Sequence, residues 1–311
     1  MALPPTVAMC TTVICVALGI GPTTAAATTR RIPLVYDAQL AAADFPSPAV
    51  RMRVGDTTAW FLVDTGAGVH LLASWFAERA GLRIDETLAS QATAVDSTGR
   101  RLGVRGVRDV EGVLDDGGPL RLPLAMFTDF PKEFEEAGVG GALSPQLLAT
   151  AGEAATLDLR VPDLRLEPFS NAIQRLAARA VQGTGATVCG SVSGTVPNLL
   201  FSVPVTVRGR KGSALIDTGA RVTKIAPASP LLTGVRFAPG GQTTGVAGVG
   251  QAFSVARGLP IEFAGHAVTV DARVGERGRE ACGPDGLLGL DALRACAVVM
   301  GSDRLAVSCD P

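Results

Sequence analysis

The sequence predicts an all-β protein built from two similar lobes, and three observations support this fold class. Hydrophobic residues make up 47% of the 311 residues, but aromatic residues make up only 5%. The chain also contains 37 Gly and 20 Pro, a composition that favours many short strands joined by tight turns. The third observation is a repeat, because the tripeptide Asp-Thr-Gly follows an apolar run at Asp64 and again at Asp217. We therefore expect two copies of one β-lobe.

The first 27 residues are predicted to form a secretory signal peptide. No charged side chain precedes Arg30, and the apolar stretch 7–20 is followed by small residues that end in Ala25-Ala26-Ala27, which fits the rule for signal cleavage. The segment before the apolar stretch lacks Lys and Arg, so a membrane anchor that is not cleaved is the alternative. That stretch is shorter than the roughly 20 residues that span a bilayer. We expect a secreted or periplasmic chain that starts near Thr28, without stable membrane insertion.

Four landmarks occur in the same order in both halves of the sequence. They are an alternating hairpin before the triplet (49–63 and 201–216), a polar hairpin after it (91–107 and 242–256), a Gly-apolar-apolar step (141–143 and 286–288) and a closing hairpin (156–166 and 296–307). Between the halves, residues 168–181 show helical spacing and residues 183–197 are rich in Gly, Ser and Thr. We therefore predict an N-terminal lobe over 28–167, a helix and linker over 168–198, and a C-terminal lobe over 199–311.

The two aspartates are the candidate catalytic groups. Burying a carboxylate between apolar strands costs several kcal/mol unless it is paired, hydrogen-bonded or protonated. A chain that does this twice with the same neighbours is predicted to bring the two carboxylates together. Two close carboxylates share a proton, so that one acts as a base and the other as an acid. Such a pair can activate a water molecule against a peptide bond.

These landmarks resemble those of the aspartic peptidases of the pepsin and retropepsin clan, from about residue 32 to residue 307. The resemblance implies a bilobal β-protein in which each lobe supplies one aspartate to a cleft between the lobes. It also implies an endopeptidase that forms no covalent intermediate and needs no cofactor. Carried over residue by residue, it makes Asp64 and Asp217 the catalytic pair. The supporting loop residues would be Thr65, Gly66, Thr218 and Gly219, with each threonine bound to the backbone of the opposite loop.

The sequence departs from the pepsins at two features of the site. Pepsins have Ser or Thr after each Asp-Thr-Gly, whereas this chain has Ala67 and Ala220, as retropepsins do. Because each missing hydroxyl removes a hydrogen bond to the charged carboxylate, we expect a mildly acid pH optimum. The single tyrosine, Tyr36, precedes the first aspartate, so the flap tyrosine of pepsins is absent. The candidate flap is the hairpin tip Ser97-Thr98-Gly99, with residues 245–250 as its counterpart.

Four cysteines follow the predicted signal peptide: Cys189, Cys282, Cys296 and Cys309. In an exported chain they suggest two disulfides, for which three pairings are possible. We favour Cys282 with Cys296 and Cys189 with Cys309, with free buried thiols as the alternative. No Cys/His cluster indicates a metal site. His70 occupies the position that Thr223 has in the second half, so a structural polar contact is expected of it.

The overall charge argues against several classes of partner. Lys and Arg number 28 against 29 Asp and Glu, so the sequence lacks the basic character typical of nucleic-acid binding. The glycine-rich stretch 245–250 has no Gly-Lys-Ser/Thr after it, so no nucleotide site is predicted. We expect a monomer that acts on a polypeptide substrate. The competing hypothesis is a catalytically inactive relative that binds peptides or inhibitors.

Overall fold

The computed structural model describes residues 29–89, 94–95, 101–176, 181–182, 186–191, 196–244, 250–275 and 282–310. Strands dominate these segments. They form a closed barrel in the first half, an eight-stranded sheet in the second half, a six-stranded sheet shared by both halves and a two-stranded sheet, β5–β6. The predicted all-β, two-lobed fold is therefore confirmed. The predicted signal peptide, the flap tip Ser97-Thr98-Gly99 and residues 245–249 of its counterpart lie outside the described residues.

The strands of the first half are β1 (Arg30–Pro33), β2 (Ala49–Val54), β3 (Thr57–Val63), β4 (Leu71–Ala73), β5 (Ala94–Val95), β6 (Arg101–Leu102), β7 (Arg105–Leu114), β8 (Pro119–Thr128), β9 (Val139–Leu143), β10 (Glu153–Asp158) and β11 (Asp163–Pro168). Those that follow are β12 (Val181–Gln182), β13 (Thr187–Ser191), β14 (Asn198–Val207), β15 (Arg210–Ile216), β16 (Lys224–Ile225), β17 (Ala238–Thr244), β18 (Gly250–Phe263), β19 (His266–Val274), β20 (Gly286–Leu288), β21 (Cys296–Met300) and β22 (Leu305–Cys309).

The helices are short. They are α1 (Ala38–Ala42), α2 (Ser74–Arg79), α3 (Glu86–Ala89), α4 (Lys132–Glu136), α5 (Phe169–Leu176) and α6 (Leu290–Leu293), with single 3₁₀ turns at Pro145–Leu147 and Pro230–Leu232. Across the described segments, no helix has the length and apolar character needed to cross a membrane.

The first half folds into a closed barrel with the strand order β2-β3-β9-β4-β8-β7. Apolar residues of β2 alternate with exposed arginines, so one face of the strand turns into the barrel. The turn to β3 passes through Gly55 at φ +56°, which glycine adopts without strain. Inside the barrel, Phe61 packs edge-on against Phe76, with the ring centroids 5.1 Å apart.

The second half forms an eight-stranded sheet with the order β13-β14-β15-β20-β16-β19-β18-β17. A further pairing of β14 with β18 makes the sheet curl back on itself. Its interior is apolar, and Phe201, Val205, Ile216 and Ile261 are each almost fully buried. The second half therefore encloses a hydrophobic core, which is continuous with that of the first half.

A third sheet contains strands from both halves, in the order β1-β11-β10-β21-β22-β12. The closing hairpin of the first half, β10–β11, joins that of the second, β21–β22, through antiparallel pairing in which Leu157 lies opposite Val298. Helix α5 covers one face, where Phe169, Ala172 and Leu176 pack on alanines and valine of the sheet. One continuous sheet thus fixes the two halves relative to each other, which positions the site between them.

Two local predictions between the halves are corrected by the structure. The helix predicted over 168–181 is observed over Phe169–Leu176, residues 177–180 lie outside the described part of the chain, and Val181 belongs to a strand. The predicted linker contains β13, which pairs with β14 so that Val188 lies opposite Phe201. The Gly and Ser content of this stretch favoured a linker, but Thr187–Ser191 is a short strand whose partner, β14, begins at Asn198.

The favoured disulfide pairing was wrong. The bonds are Cys189–Cys282 and Cys296–Cys309. Cys296 and Cys309 lie directly opposite each other in the β21–β22 pair, while Cys189 packs beside Cys282 against Leu215. The pairing follows the register of the strands and the way they pack, neither of which cysteine spacing reveals.

Candidate active site

The two Asp-Thr-Gly triplets occupy equivalent loops. In the first half β3 pairs in parallel with β9, and the N–H of Asp64 donates to the carbonyl oxygen of Leu143 at 2.9 Å. In the second half β15 pairs in parallel with β20, and the N–H of Asp217 donates to the carbonyl oxygen of Leu288 at 3.1 Å. The Gly-apolar-apolar steps are thus the strands that hold the two aspartate loops.

The threonines of the two loops bind each other's backbone. Thr65 Oγ1 accepts the N–H of Thr218 at 3.0 Å and donates to the carbonyl of Ile216 at 2.9 Å. Thr218 Oγ1 accepts the N–H of Thr65 at 3.1 Å and donates to the carbonyl of Val63 at 2.7 Å. Both side chains are almost fully buried. These are the cross-lobe contacts expected of the two threonines, and they bring the loops together.

The aspartate side chains meet between the loops. Asp64 Oδ1 accepts the N–H groups of Gly66 at 2.8 Å and Ala67 at 3.2 Å. Asp217 Oδ1 accepts the N–H of Ala220 at 3.0 Å. The Asp64 carboxyl group is also hydrogen-bonded to the side chain of Asp217 and to the N–H of Gly219. The structure therefore places the two carboxyl groups within hydrogen-bonding reach of each other.

Each glycine of the triplets makes room for the opposite aspartate. A Cβ atom on Gly66 would lie 2.4 Å from Cγ of Asp217, and one on Gly219 would lie 2.5 Å from Cγ of Asp64. Neither glycine has a left-handed backbone, so its role here is close approach rather than an unusual φ. The third residue of each triplet thus allows the carboxyl groups to meet.

Burial raises the pKa of Asp64 above its ordinary value, because the ionised carboxylate loses hydration inside the site. The hydrogen bonds from Gly66, Asp217, Ala67 and Gly219 act in the opposite direction, since they stabilise the charged form. Close carboxyl groups in such an environment ionise one after the other, and the pair can hold a single proton. The arrangement can therefore offer an acid and a base on either side of one small molecule.

His70 has the structural polar contact expected of it. Its Nδ1 accepts the N–H of Ser144 at 3.2 Å. In the second half, Thr223 Oγ1 accepts the N–H of Gly289 at 3.2 Å in the equivalent place. Burial lowers the pKa of His70 to about 4, because a charged imidazole would lose its hydration. His70 is therefore neutral under most conditions and holds the strand step beside the Asp64 loop.

Gln146 is a further polar residue of the site that was not among the residues predicted from the sequence. Its side chain is 2% exposed, and its amide nitrogen reaches the carbonyl oxygens of Thr65, Ala67 and Leu199. Its counterpart, Asp291, accepts the N–H and O–H of Thr223 in the second half. The available signal was a polar residue three positions after the last residue of the apolar strand step, in both halves.

Within the segments that the structure describes, no group of three or more His, Cys, Asp or Glu side chains could hold a metal ion. Residues 50–109 match the family model described as aspartyl protease. The matched span begins within β2, contains β3 and the first Asp-Thr-Gly loop, and ends within β7. A comparison with curated proteins finds no match for the chain.

Proposed function

We propose that the chain is an aspartic endopeptidase that hydrolyses peptide bonds with a water molecule held between Asp64 and Asp217. The observation that carries the proposal is the close approach of the two aspartate loops. A Cβ on Gly66 would lie 2.4 Å from Cγ of Asp217, and a Cβ on Gly219 would lie 2.5 Å from Cγ of Asp64. The match of residues 50–109 to the aspartyl protease model supports the same reaction class from one half of the chain. Thr65, Gly66, Thr218 and Gly219 hold the pair in place.

In the proposed mechanism the pair carries one proton. The ionised aspartate takes a proton from the bound water while the water oxygen adds to the scissile carbonyl carbon, and the neutral aspartate gives its proton to the carbonyl oxygen. The resulting tetrahedral diol is not bonded to the enzyme. It collapses when the aspartate that took the water's proton gives it to the amide nitrogen and the carbon–nitrogen bond breaks. The other aspartate takes a proton from a hydroxyl of the diol, which leaves a carboxyl group and an amine and returns the pair to its starting state.

The proposed substrate is a polypeptide, and the proposed setting is outside the cytoplasm. The two disulfides, Cys189–Cys282 and Cys296–Cys309, support an oxidising compartment. We infer that residues 28–167 and 199–311 are the two peptidase lobes, each of which supplies one aspartate. The enzyme is proposed to act as a monomer, since both loops come from a single chain.

The test is cleavage of an unfolded protein such as reduced, alkylated casein, with fragments identified by mass spectrometry. The wild-type chain should cut internal peptide bonds, and a statine-type inhibitor should block the cleavage. Asp64→Asn and Asp217→Asn should each lower kcat/KM by about 10²-fold or more, because either change removes proton transfer by the pair. Asp115→Asn is the matched control, since Asp115 lies in an exposed turn of the first lobe.

The same experiment decides between the enzyme and the inactive relative. A folded wild-type chain that binds the statine-type inhibitor but cleaves nothing between acid and neutral pH would contradict the enzyme and favour the peptide-binding alternative. Cleavage that persists in both Asn variants would place the activity elsewhere. Circular dichroism of each variant shows whether a loss of cleavage reflects the chemistry or unfolding.

A further inference from the structure

Three backbone carbonyls converge on the side chain of Gln146. This residue lies in the 3₁₀ turn Pro145–Leu147 that follows β9. Its Nε2 lies 3.3 Å from the carbonyl oxygen of Thr65, 3.0 Å from that of Ala67 and 2.7 Å from that of Leu199. Carbonyl oxygens accept hydrogen bonds and only the nitrogen of the amide donates them, so this set determines which way the amide faces.

The contact with Thr65 also orients a donor to the active site. The carbonyl of Thr65 and the N–H of Gly66 belong to one planar peptide unit and point in opposite directions. When the carbonyl points at Gln146, the N–H must point the other way, and there it donates to Asp64 Oδ1 at 2.8 Å. The Gln146 amide therefore sets the angle of a peptide plane whose far side binds the proposed catalytic carboxylate.

The contact with Leu199 extends this support to the other lobe. Leu199 belongs to β14, which pairs with β15, the strand that leads to Asp217. The N–H of Leu199 donates in turn to the carbonyl oxygen of Gly68 at 3.1 Å. One buried amide and one backbone bond thus tie the first aspartate loop to the strand beside the second.

The second lobe does not repeat this arrangement. Asp291, the counterpart of Gln146, accepts hydrogen bonds from Thr223 within its own lobe. Within the described residues, the Oε1 atom of Gln146 is buried without a hydrogen-bond partner, which is a cost to the folded state. An apolar side chain of the same length would fill the space without that cost. The presence of an amide at this position is therefore better explained by the hydrogen bonds that its nitrogen donates than by packing.

We propose that Gln146 is a positioning residue for Asp64, which it serves by orienting the Thr65–Gly66 peptide and anchoring the Asp64 loop to β14. The inference rests on the proposed function, because it assigns Gln146 a task in the same site. Its test is chosen to give an answer even if the chain cleaves nothing.

The experiment follows the carboxyl carbon of Asp64 by ¹³C NMR as the pH changes, with Asp64→Asn used to assign the resonance. Gln146→Met keeps the length of the side chain but removes both N–H donors. When the Gly66 N–H is no longer oriented toward Asp64 Oδ1, the charged carboxylate loses a hydrogen bond, and the pKa of Asp64 should rise by about one unit. Gln39→Met, at an exposed position of α1, is the control and should leave the titration unchanged.

Turnover provides a second readout. In Gln146→Met, kcat/KM should fall about tenfold, and the acid limb of its pH profile should move upward by the same amount as the Asp64 titration. A merely structural role would lower stability without moving either midpoint. If the midpoint of the Asp64 titration were the same in wild type and in Gln146→Met, the inference would be overturned. A wild type that fails to cleave would overturn the proposed function alone, because the titration still reports on Gln146.

A measurement on the unaltered chain applies if Gln146→Met does not fold. The side-chain amide protons of Gln146 should exchange with solvent far more slowly than those of Gln39, because the former are buried and bonded to three carbonyls. Trans-hydrogen-bond coupling from Nε2 to the carbonyl carbon of Thr65 or Ala67 would support the inference. Exchange of the Gln146 amide as fast as that of Gln39 would overturn it.

Discussion

The hydroxyl groups of Thr65 and Thr218 exchange hydrogen bonds with each other's backbone: each Oγ1 accepts the N–H of the other threonine, at 3.0 and 3.1 Å. Each hydroxyl also donates to a carbonyl of the opposite loop. Removing one hydroxyl therefore leaves a buried N–H and a buried carbonyl of the other lobe without this partner. The contact couples the stability of the lobe interface to the geometry of the aspartate pair.

Replacing either threonine by valine should destabilise the fold. Valine has the same shape but no hydroxyl, so Thr65→Val and Thr218→Val should each lower the free energy of unfolding by about 3 kcal/mol, because two buried backbone groups lose a partner. Urea denaturation measures this. Thr58→Val, at an exposed position of β3, is the matched control. Equal midpoints for Thr65→Val and Thr58→Val would contradict the prediction.

Adding a methyl group to either triplet glycine should impair activity more than folding. In Gly66→Ala and Gly219→Ala the new Cβ would meet a carboxyl carbon at 2.4 or 2.5 Å, far inside van der Waals contact, so the facing aspartate must move. We expect kcat/KM to fall by about 10²-fold, since small displacements of reacting groups have effects of that size.

The control for the glycine variants is Gly103→Ala, because a Cβ at Gly103 would meet nothing within 4 Å. Activity assays on purified, folded variants check the prediction. Full activity in both Gly66→Ala and Gly219→Ala would mean that the carboxyl groups need not approach each other as closely as the structure shows.

Local patterns carried most of what could be predicted from the sequence. The hairpin predicted over 49–63 is the pair β2–β3, because alternating apolar residues and a Gly-Asp turn are sufficient to specify a hairpin. The Gly-apolar-apolar steps could also be predicted from a short local pattern, because it recurs in the same order in both halves. In the structure each step is a strand that pairs in parallel with the strand leading to an aspartate loop.

Contacts between distant segments could not be predicted in this way. The antiparallel pairing of β10 with β21, the partners of Cys189 and the Gln146–Leu199 bond join residues far apart in the sequence. Backbone carbonyls, the acceptors for Gln146, have no signature in the amino-acid sequence. The register that sets Cys296 opposite Cys309 arises from the whole six-stranded sheet, and cysteine spacing does not encode it.

The stability of the protein should fall in acid partly because of His70. Burial lowers the pKa of His70 to about 4 from the ordinary value of 6.5, so the unfolded chain takes up the proton at a higher pH than the folded chain does. This contribution to the free energy of unfolding is complete above pH 6.5 and is lost as the pH falls to about 4. The loss lowers the free energy of unfolding by about 3 kcal/mol.

His70→Thr, which installs the residue found in the second lobe, should remove this part of the pH dependence. Urea denaturation at several pH values between neutral and acid compares the variant with wild type and with His266→Thr, whose side chain is partly exposed beside a hairpin turn. The difference between wild type and His70→Thr should shrink as the pH falls. A constant difference would show that protonation of His70 does not oppose folding.

Restoring a hydroxyl beside the aspartates should shift the pH–rate profile toward acid. Burial raises the pKa of Asp64, and Ala67, whose N–H already donates to that carboxylate, contributes no side-chain donor. Cleavage by the proposed mechanism needs one ionised aspartate, so a raised pKa should move the acid limb upward, and we expect a mildly acid optimum for the wild type. In Ala67→Ser, a hydroxyl that donates a hydrogen bond to the charged carboxylate should lower the midpoint of the acid limb by about half a pH unit.

The measurement for Ala67→Ser is kcat/KM as a function of pH, with Ala38→Ser on the exposed side of α1 as the control. The control should keep the wild-type profile, because its new hydroxyl lies on α1 and not in the Asp64 loop. An upward shift of the acid limb in Ala67→Ser would contradict the prediction that a hydroxyl at this position stabilises the charged carboxylate.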